Sequence, residues 1–272
     1  NMKKLTTLFL AGLVLTATLA GCGQKTDQEA TATDAGGTPV VLKVGATPIP
    51  HEELLKFVAP KLEEQGVKLE IVTFTDYVQP NAALADGQLD ANFFQHLPYL
   101  ESYNESNGTK LVSVGNIHVE PLALYSKKVK SINNLKNGDT IAIPSVPSNG
   151  GRALILLHNK GVITLKDPKN LFATEFDIVK NPKKLKFKPT EVAQLPRILP
   201  DVTAAIINGN YALQANLSPA KDSIILEGKE SPYANILVVR KGDEKKEDIQ
   251  KYKCLGAFIF YVQYIIHTKG TL

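Results

Sequence analysis

Apolar and polar positions along this chain follow two periods in turn, and glycine, proline and asparagine mark the changes between them. In "VVLKVGAT" (residues 40–47) a run rich in β-branched residues stops at a turn, which predicts a buried strand. The next stretch, "IPHEELLKFVAPKLEEQG", sets Leu54, Leu55, Val58, Ala59 and Leu62 at helical spacing, with Glu52 and Glu53 in the early turns and Gly66 at the end. "VKLEIVTF" then alternates Val67, Leu69 and Ile71, the pattern of a strand with one covered face. Strand, helix and strand make a βαβ unit. The alternation continues through "PNAALADGQLD" (helix), "ANFF" (strand), "HLPYLESYNESNG" (helix) and "KLVSVGNIHVEPLALYS" (one or two strands). "SINNLKNG" opens on a serine cap, "DTIAIPSV" predicts a strand, and "SNGGRALILLHNKG" predicts a helix stopped by Gly161. Residues 166–200 lose the pattern in proline- and lysine-rich connections, and "TAAIINGNYA", "DSIILEG" and "NILVVRKGD" predict three further strands. This many alternations imply an α/β protein with strands enough for two sheets. Open sheets of this kind bind ligands beyond the carboxyl ends of their strands, and a two-lobed version puts that site in the cleft.

The amino end follows neither period. A short basic stretch at Met2-Lys3-Lys4 leads into an uncharged, mostly apolar run that closes on Leu19-Ala20-Gly21-Cys22, so residues 1–21 read as a secretory signal, with Asn1 a cloning scar. The closing four residues resemble the lipobox of bacterial lipoproteins, which makes Cys22 the expected lipid anchor; acyl chains hold a protein to a bilayer without a spanning segment. Residues 22–39 are small, polar and free of aromatics, the composition of a flexible tether.

Composition adds that the rest folds. Hydrophobic residues make up 43% and charged residues 21%, as in an ordinary globular chain. The net charge of +4 is spread over scattered lysines, so no nucleic-acid partner is expected. With Cys22 assigned to lipid, the two cysteines build no disulfide framework, and stability falls to the core.

Two stretches could carry chemistry. "PSNGGRAL" lies between a strand and a helix: glycines permit close backbone approach, a helix start offers N–H groups, and Arg152 adds a cationic fork, which together suit an anion such as a carboxylate; an ordinary strand-to-helix turn with an exposed arginine fits the same residues. "DANFFQHLPYLESY" concentrates two phenylalanines, a histidine and two tyrosines in a chain poor in aromatics. On a strand, Phe94 and His96 face one way and Phe93 and Gln95 the other, so one ring enters the core while Phe94, His96 and Tyr99, joined by Tyr77, could wall a pocket for a thioether; aromatic core packing is the competing reading. His51, His96, His118 and His158 stand singly without ligand spacing, so no metal site is expected, and no nucleophile elbow, HExxH or paired-carboxylate motif points to an enzyme.

"FTDYVQPNAALADGQLDANFFQHLPYL", "SNGGRAL", "QLPRILPD", "AAIINGNYA" and "SPYANILVVR", in this order, resemble the methionine-binding lipoproteins of ABC importers, the NlpA lipoprotein family, nearly continuously over residues 41–250. The resemblance implies a two-lobed periplasmic-binding-protein-like (type II) α/β fold with two mixed sheets and a ligand cleft between lobes. Residues 40–126 and 230–272 would form the first lobe and 127–229 the second. It implies an aromatic wall of Tyr77, Phe94 and Tyr99 with His96 beside it, a carboxylate clamp at Arg152, and a head-group site of Asn149, Asn208 and Asn235. It further implies L-methionine or D-methionine as ligand, with a methionine-containing dipeptide as alternative and metal capture as a remoter one. The partners would be the permease and ATPase subunits of an importer and, through Cys22, the extracytoplasmic face of the membrane; the protein would be a monomer without a cofactor. The tail "KCLGAFIFYVQYIIHTKGTL" departs from the charged helix that the family has there.

Overall fold

The computed structural model describes residues 38–228 and 231–254. The signal, Cys22, most of the tether and residues 255–272 lie outside the described residues.

The two periods sort into elements largely as expected. Strand β1 (Val40–Ala46) leads through a tight turn to helix α1 (Glu53–Glu63), then β2 (Val67–Thr73), α2 (Gln79–Ala85), β3 (Ala91–His96), α3 (Leu97–Asn107), β4 (Leu111–Val119) and β5 (Ala123–Tyr125). There follow β6 (Thr140–Pro144), α4 (Pro147–Asn159), β7 (Thr164–Leu165), β8 (Ile178–Lys180), β9 (Lys186–Thr190), α5 (Leu195–Ile198), β10 (Ala204–Ile207), α6 (Gly209–Gln214), α7 (Pro219–Asp222), β11 (Ile225–Leu226) and β12 (Ala234–Arg240). "TAAIINGNYA" is thus half strand and half helix: after Ile207, Asn208 in extended backbone starts α6, and the chain turns instead of continuing. The patternless stretch hides β8 and β9. Their side chains are mostly half-buried or exposed, so no apolar alternation announces them.

Two five-stranded mixed sheets carry the fold, ordered β2-β1-β3-β12-β4 and β11-β5-β10-β6-β9. In the first, β1 runs parallel to β2 and β3, while β12 inserts antiparallel between β3 and β4. In the second, β6 runs parallel to β9 and β10, and β5 is antiparallel to β10 and β11. Sheet membership changes at residues 120–122 and again between β11 and β12. The outward change falls before the expected lobe boundary at 126/127, because Ala123–Tyr125 pairs with β10 rather than with the first sheet.

Each sheet has its own core. Leu55, Val58 and Leu62, the inner stripe of α1, pack with Leu42, Val44 and Phe93 of the first sheet. Burying each such side chain contributes roughly 1.5–3 kcal/mol. Leu154, Leu156 and Leu157 of α4 pack with Ile141, Ile143 and Ile206 of the second. A third cluster joins Tyr77, Phe94 and Tyr99 to Tyr125, Ala142 and Ile207, so rings carried by the first sheet's segments meet strands of the second.

Candidate functional site

A small, partly open cavity lies beside that third cluster. All eight residues singled out from sequence line it: Tyr77, Phe94, His96, Tyr99, Asn149, Arg152, Asn208 and Asn235. Gln95, expected on the opposite face, lines it as well, together with Glu120, Gly209 and Asn210, which were not singled out.

The apolar end is built from β3, the start of α3 and the loop after β2. Strand alternation sends Phe93 into the first sheet's core and Phe94 toward the cavity. Tyr77 lies 5.9 Å from Phe94 and 6.0 Å from Tyr99 between ring centroids, and Tyr211 of α6 adds a fourth ring 5.2 Å from Tyr77. Hydrogen bonds fix the rims: Tyr99 Oη donates to the Tyr77 carbonyl (2.6 Å), Tyr77 Oη to Asn210 Oδ1, and Tyr211 Oη to the Thr75 carbonyl (2.8 Å). Burial pushes the Tyr77 hydroxyl well above its ordinary pKa, so it acts only as a neutral donor.

The polar end starts from a row across three strands: Asn235 of β12 pairs in register with His96 on β3 and with His118 on β4. His96 caps α3, its Nδ1 accepting from the Tyr99 amide (3.2 Å), and this leaves Nε2–H to donate to Asn149 Oδ1 (2.9 Å). Burial, with the nearby Arg152 charge, lowers its pKa to about 3, so His96 is a neutral dipole here and not a cation. Asn208 Nδ2 donates to the same Asn149 oxygen (3.2 Å). Asn208 Oδ1 and Asn210 Nδ2 are buried and find no partner among the described residues, polar groups of the kind that a ligand satisfies.

"SNGGR" forms the first turns of the predicted helix, α4, which starts at Pro147. Its glycines admit protein, not ligand: a Cβ on Gly151 would lie 2.3 Å from the Leu171 carbonyl oxygen, and one on Gly150 2.9 Å from that of Pro144. Arg152 lines the cavity, but its fork is turned on Glu227, Nε donating to Oε1 (2.9 Å) and Nη2 to Oε2, while Nη2 also donates to the Glu120 carbonyl (2.8 Å). The guanidinium stacks 4.5 Å above the Tyr233 ring. Of the three guanidinium nitrogens, only Nη1 makes no hydrogen bond to the described residues.

Glu120 stands across from it. Its Oε1 lies 2.9 Å from His51 Nε2 and accepts from His118 Nε2 (2.7 Å). Burial alone would raise this carboxyl, but the two imidazoles outweigh it and hold the group below the usual carboxylate range. The structure therefore joins two of the histidines that stand singly in the sequence: the ligating atoms of His51, His118 and Glu120 lie within 4.8 Å of one another. No spacing rule could find this trio, because it joins the segment after β1 to the end of β4 and the connection beyond.

This geometry has known counterparts. Residues 42–255 match the model of the NlpA lipoprotein. The chain belongs to the NlpA lipoprotein family. Among the curated members of this family, the D-methionine-binding lipoprotein MetQ of Salmonella typhi is 45% identical over 89% of this chain and 87% of its own length. A nutrient-binding protein of Burkholderia cenocepacia, solved bound to methionine, is 44% identical with a TM-score of 0.76, over 84% of this chain and 96% of that one. A periplasmic substrate-binding protein of an ABC transporter from Coxiella burnetii is 43% identical with a TM-score of 0.79, over 83% and 96%. The NlpA fold here is accordingly that of the periplasmic substrate-binding proteins, two mixed sheets with a ligand cleft. Among the described residues, no helix is long and apolar enough to cross a membrane.

Proposed function

We propose that this chain is the substrate-binding lipoprotein of an ABC importer, capturing methionine in the cavity between its two sheets and presenting it to membrane permease and ATPase subunits. One observation carries the reading: a cavity lined by aromatic rings at one end and by amides, a guanidinium and a carboxylate at the other. A thioether suits the ring end, where sulfur–aromatic contacts contribute about 0.3–1.5 kcal/mol each. The α-carboxylate is assigned to Arg152 Nη1 and the amides of Asn149, Asn208 and Asn235. The names of the relatives, which include both a D-methionine-binding protein and one solved with methionine, support the ligand class. The protein binds and releases rather than catalyses, as a monomer, held to the extracytoplasmic face of the membrane by acylated Cys22.

The deciding experiment is mass spectrometry of the small molecule that copurifies, followed by calorimetric titration with L-methionine, D-methionine and a methionine-containing dipeptide. Methionine in the purified protein and tight binding of one enantiomer are expected. A different copurified ligand, with no methionine binding after its removal, would sink the reading. Cys22→Ala should release the protein from membranes or block its processing, measured by fractionation.

A further inference from the structure

Two cavity-lining side chains carry formal charge, and their surroundings are unlike. The Arg152 cation already has a carboxylate, Glu227, against its fork, and that residue is not part of the lining. Glu120 is held from one side only. Both imidazoles stand on Oε1, and Oε2 accepts no hydrogen bond from any described residue. The side chain is 12% exposed, so little bulk water reaches it. The unused oxygen lies on the face of Gly209, where a Cβ would come within 3.4 Å of it and within 3.1 Å of the Glu120 Cβ; the missing side chain keeps that approach open. The cluster around it resists movement, since His51 is anchored by Thr47 Oγ1 (2.7 Å) and Asn235 Oδ1 (3.0 Å) and is packed edge-on against Phe93.

We infer that Glu120 is the counter-charge for a ligand ammonium, received at Oε2, while His51 and His118 hold Oε1 and so aim the carboxylate. This assignment rests on the reading that the cavity takes an amino acid, and it makes the cation of that ligand, more than its carboxylate, the charge the site selects. A desolvated carboxylate with a free oxygen binds a cation strongly and discriminates against a neutral isostere, which leaves that oxygen unpaired. Ligands in which the amine is replaced by hydroxyl or is acylated are rejected on this ground.

The test is calorimetry on the full chain in detergent with methionine and with 2-hydroxy-4-(methylthio)butanoate, which exchanges the ammonium for a hydroxyl. Wild type should prefer methionine by about 30-fold or more. Glu120→Gln should lower methionine affinity by about 30-fold or more and change that of the hydroxy acid by less than about 3-fold, so that selectivity collapses. Equal affinity of wild type for the two ligands overturns the assignment and needs no variant. So does a Glu120→Gln protein that binds methionine as wild type does, or one that loses both ligands alike. Stoichiometric zinc in wild type, removed by chelator with loss of the His51–His118–Glu120 cluster, overturns it in favour of a metal. Wild type that binds no amino acid overturns both this assignment and the reading beneath it, whereas the other outcomes leave methionine bound.

Discussion

The two ends of the cavity are stabilised by different physics. At the ring end, Tyr77, Phe94 and Tyr99 meet at tilted or edge-on angles and are held by packing, with directional bonds only at the rims. At the polar end each side chain is held by a named partner while single atoms stay open: Arg152 by Glu227, Glu120 by His51 and His118, Asn149 by His96 and Asn208. Apolar contact is non-directional and roughly proportional to area, so the ring end should lose affinity gradually as rings are trimmed. A buried polar network fails abruptly, because removing one member leaves another desolvated without a partner.

The largest test of that contrast is Arg152→Ala. It strands the partly buried Glu227 carboxylate and removes the stacking on Tyr233, so unfolding free energy should drop by ~3–5 kcal/mol, measured by urea denaturation. Arg152→Lys should recover only part, since the planar fork is gone. A drop under ~1 kcal/mol for the alanine variant would place the pair with weak surface bridges and erase the distinction.

Acid should attack the polar end alone. The folded pKa of His96 is depressed to about 3 from an ordinary 6.5, chiefly by burial. The unfolded chain therefore binds more protons between those values, and the stability contributed by neutral His96 is complete above 6.5 and is lost as the pH falls toward 3. Burial also lowers His118, which adds loss of the same sign. Two pH units below the ordinary value should cost on the order of 3 kcal/mol for His96 alone, read from denaturation midpoints. In a His96→Gln variant the slope should flatten, and an unchanged slope would assign the acid sensitivity elsewhere.

The smallest effect belongs to the ring end. Phe94→Ala should weaken methionine binding by ~1–3 kcal/mol, the scale of a lost apolar contact with a sulfur–aromatic contribution. Norleucine, which matches the shape without the sulfur, should lose less than methionine in the same titration. Equal losses would make the wall a recogniser of bulk, and no loss would return Phe94 to core packing.

Much of this was legible along the chain. β1, α1, β2, β3, α3, β6 and α4 follow from the spacing of apolar residues and from their caps, because each is an element whose inner face is set by its own next few residues. The phenylalanine pair separated correctly into a core ring and a cavity ring for the same local reason. β9 escaped notice because an edge strand of Lys186, Lys188 and half-exposed residues has no inner face to display. The second half of "TAAIINGNYA" misled because Asn208 as a helix start and Asn208 as a strand residue look alike until the chain is seen to turn.

The sequence by itself determined the alternation of strands and helices, the ring-rich stretch, and the residue types that gather at the cavity. Tertiary structure alone decided who meets whom. Arg152 turns Nε and Nη2 on Glu227, 75 residues away, and keeps only Nη1 open. His51 reaches Asn235 across 184 residues, and Glu120, one polar residue in a strand-to-strand connection, becomes the carboxylate that two imidazoles hold. Periodicity encodes which face of an element is buried, since that depends on neighbours three or four positions along. The partner of a buried charge depends on which strands lie side by side, and that is settled only when the whole chain packs.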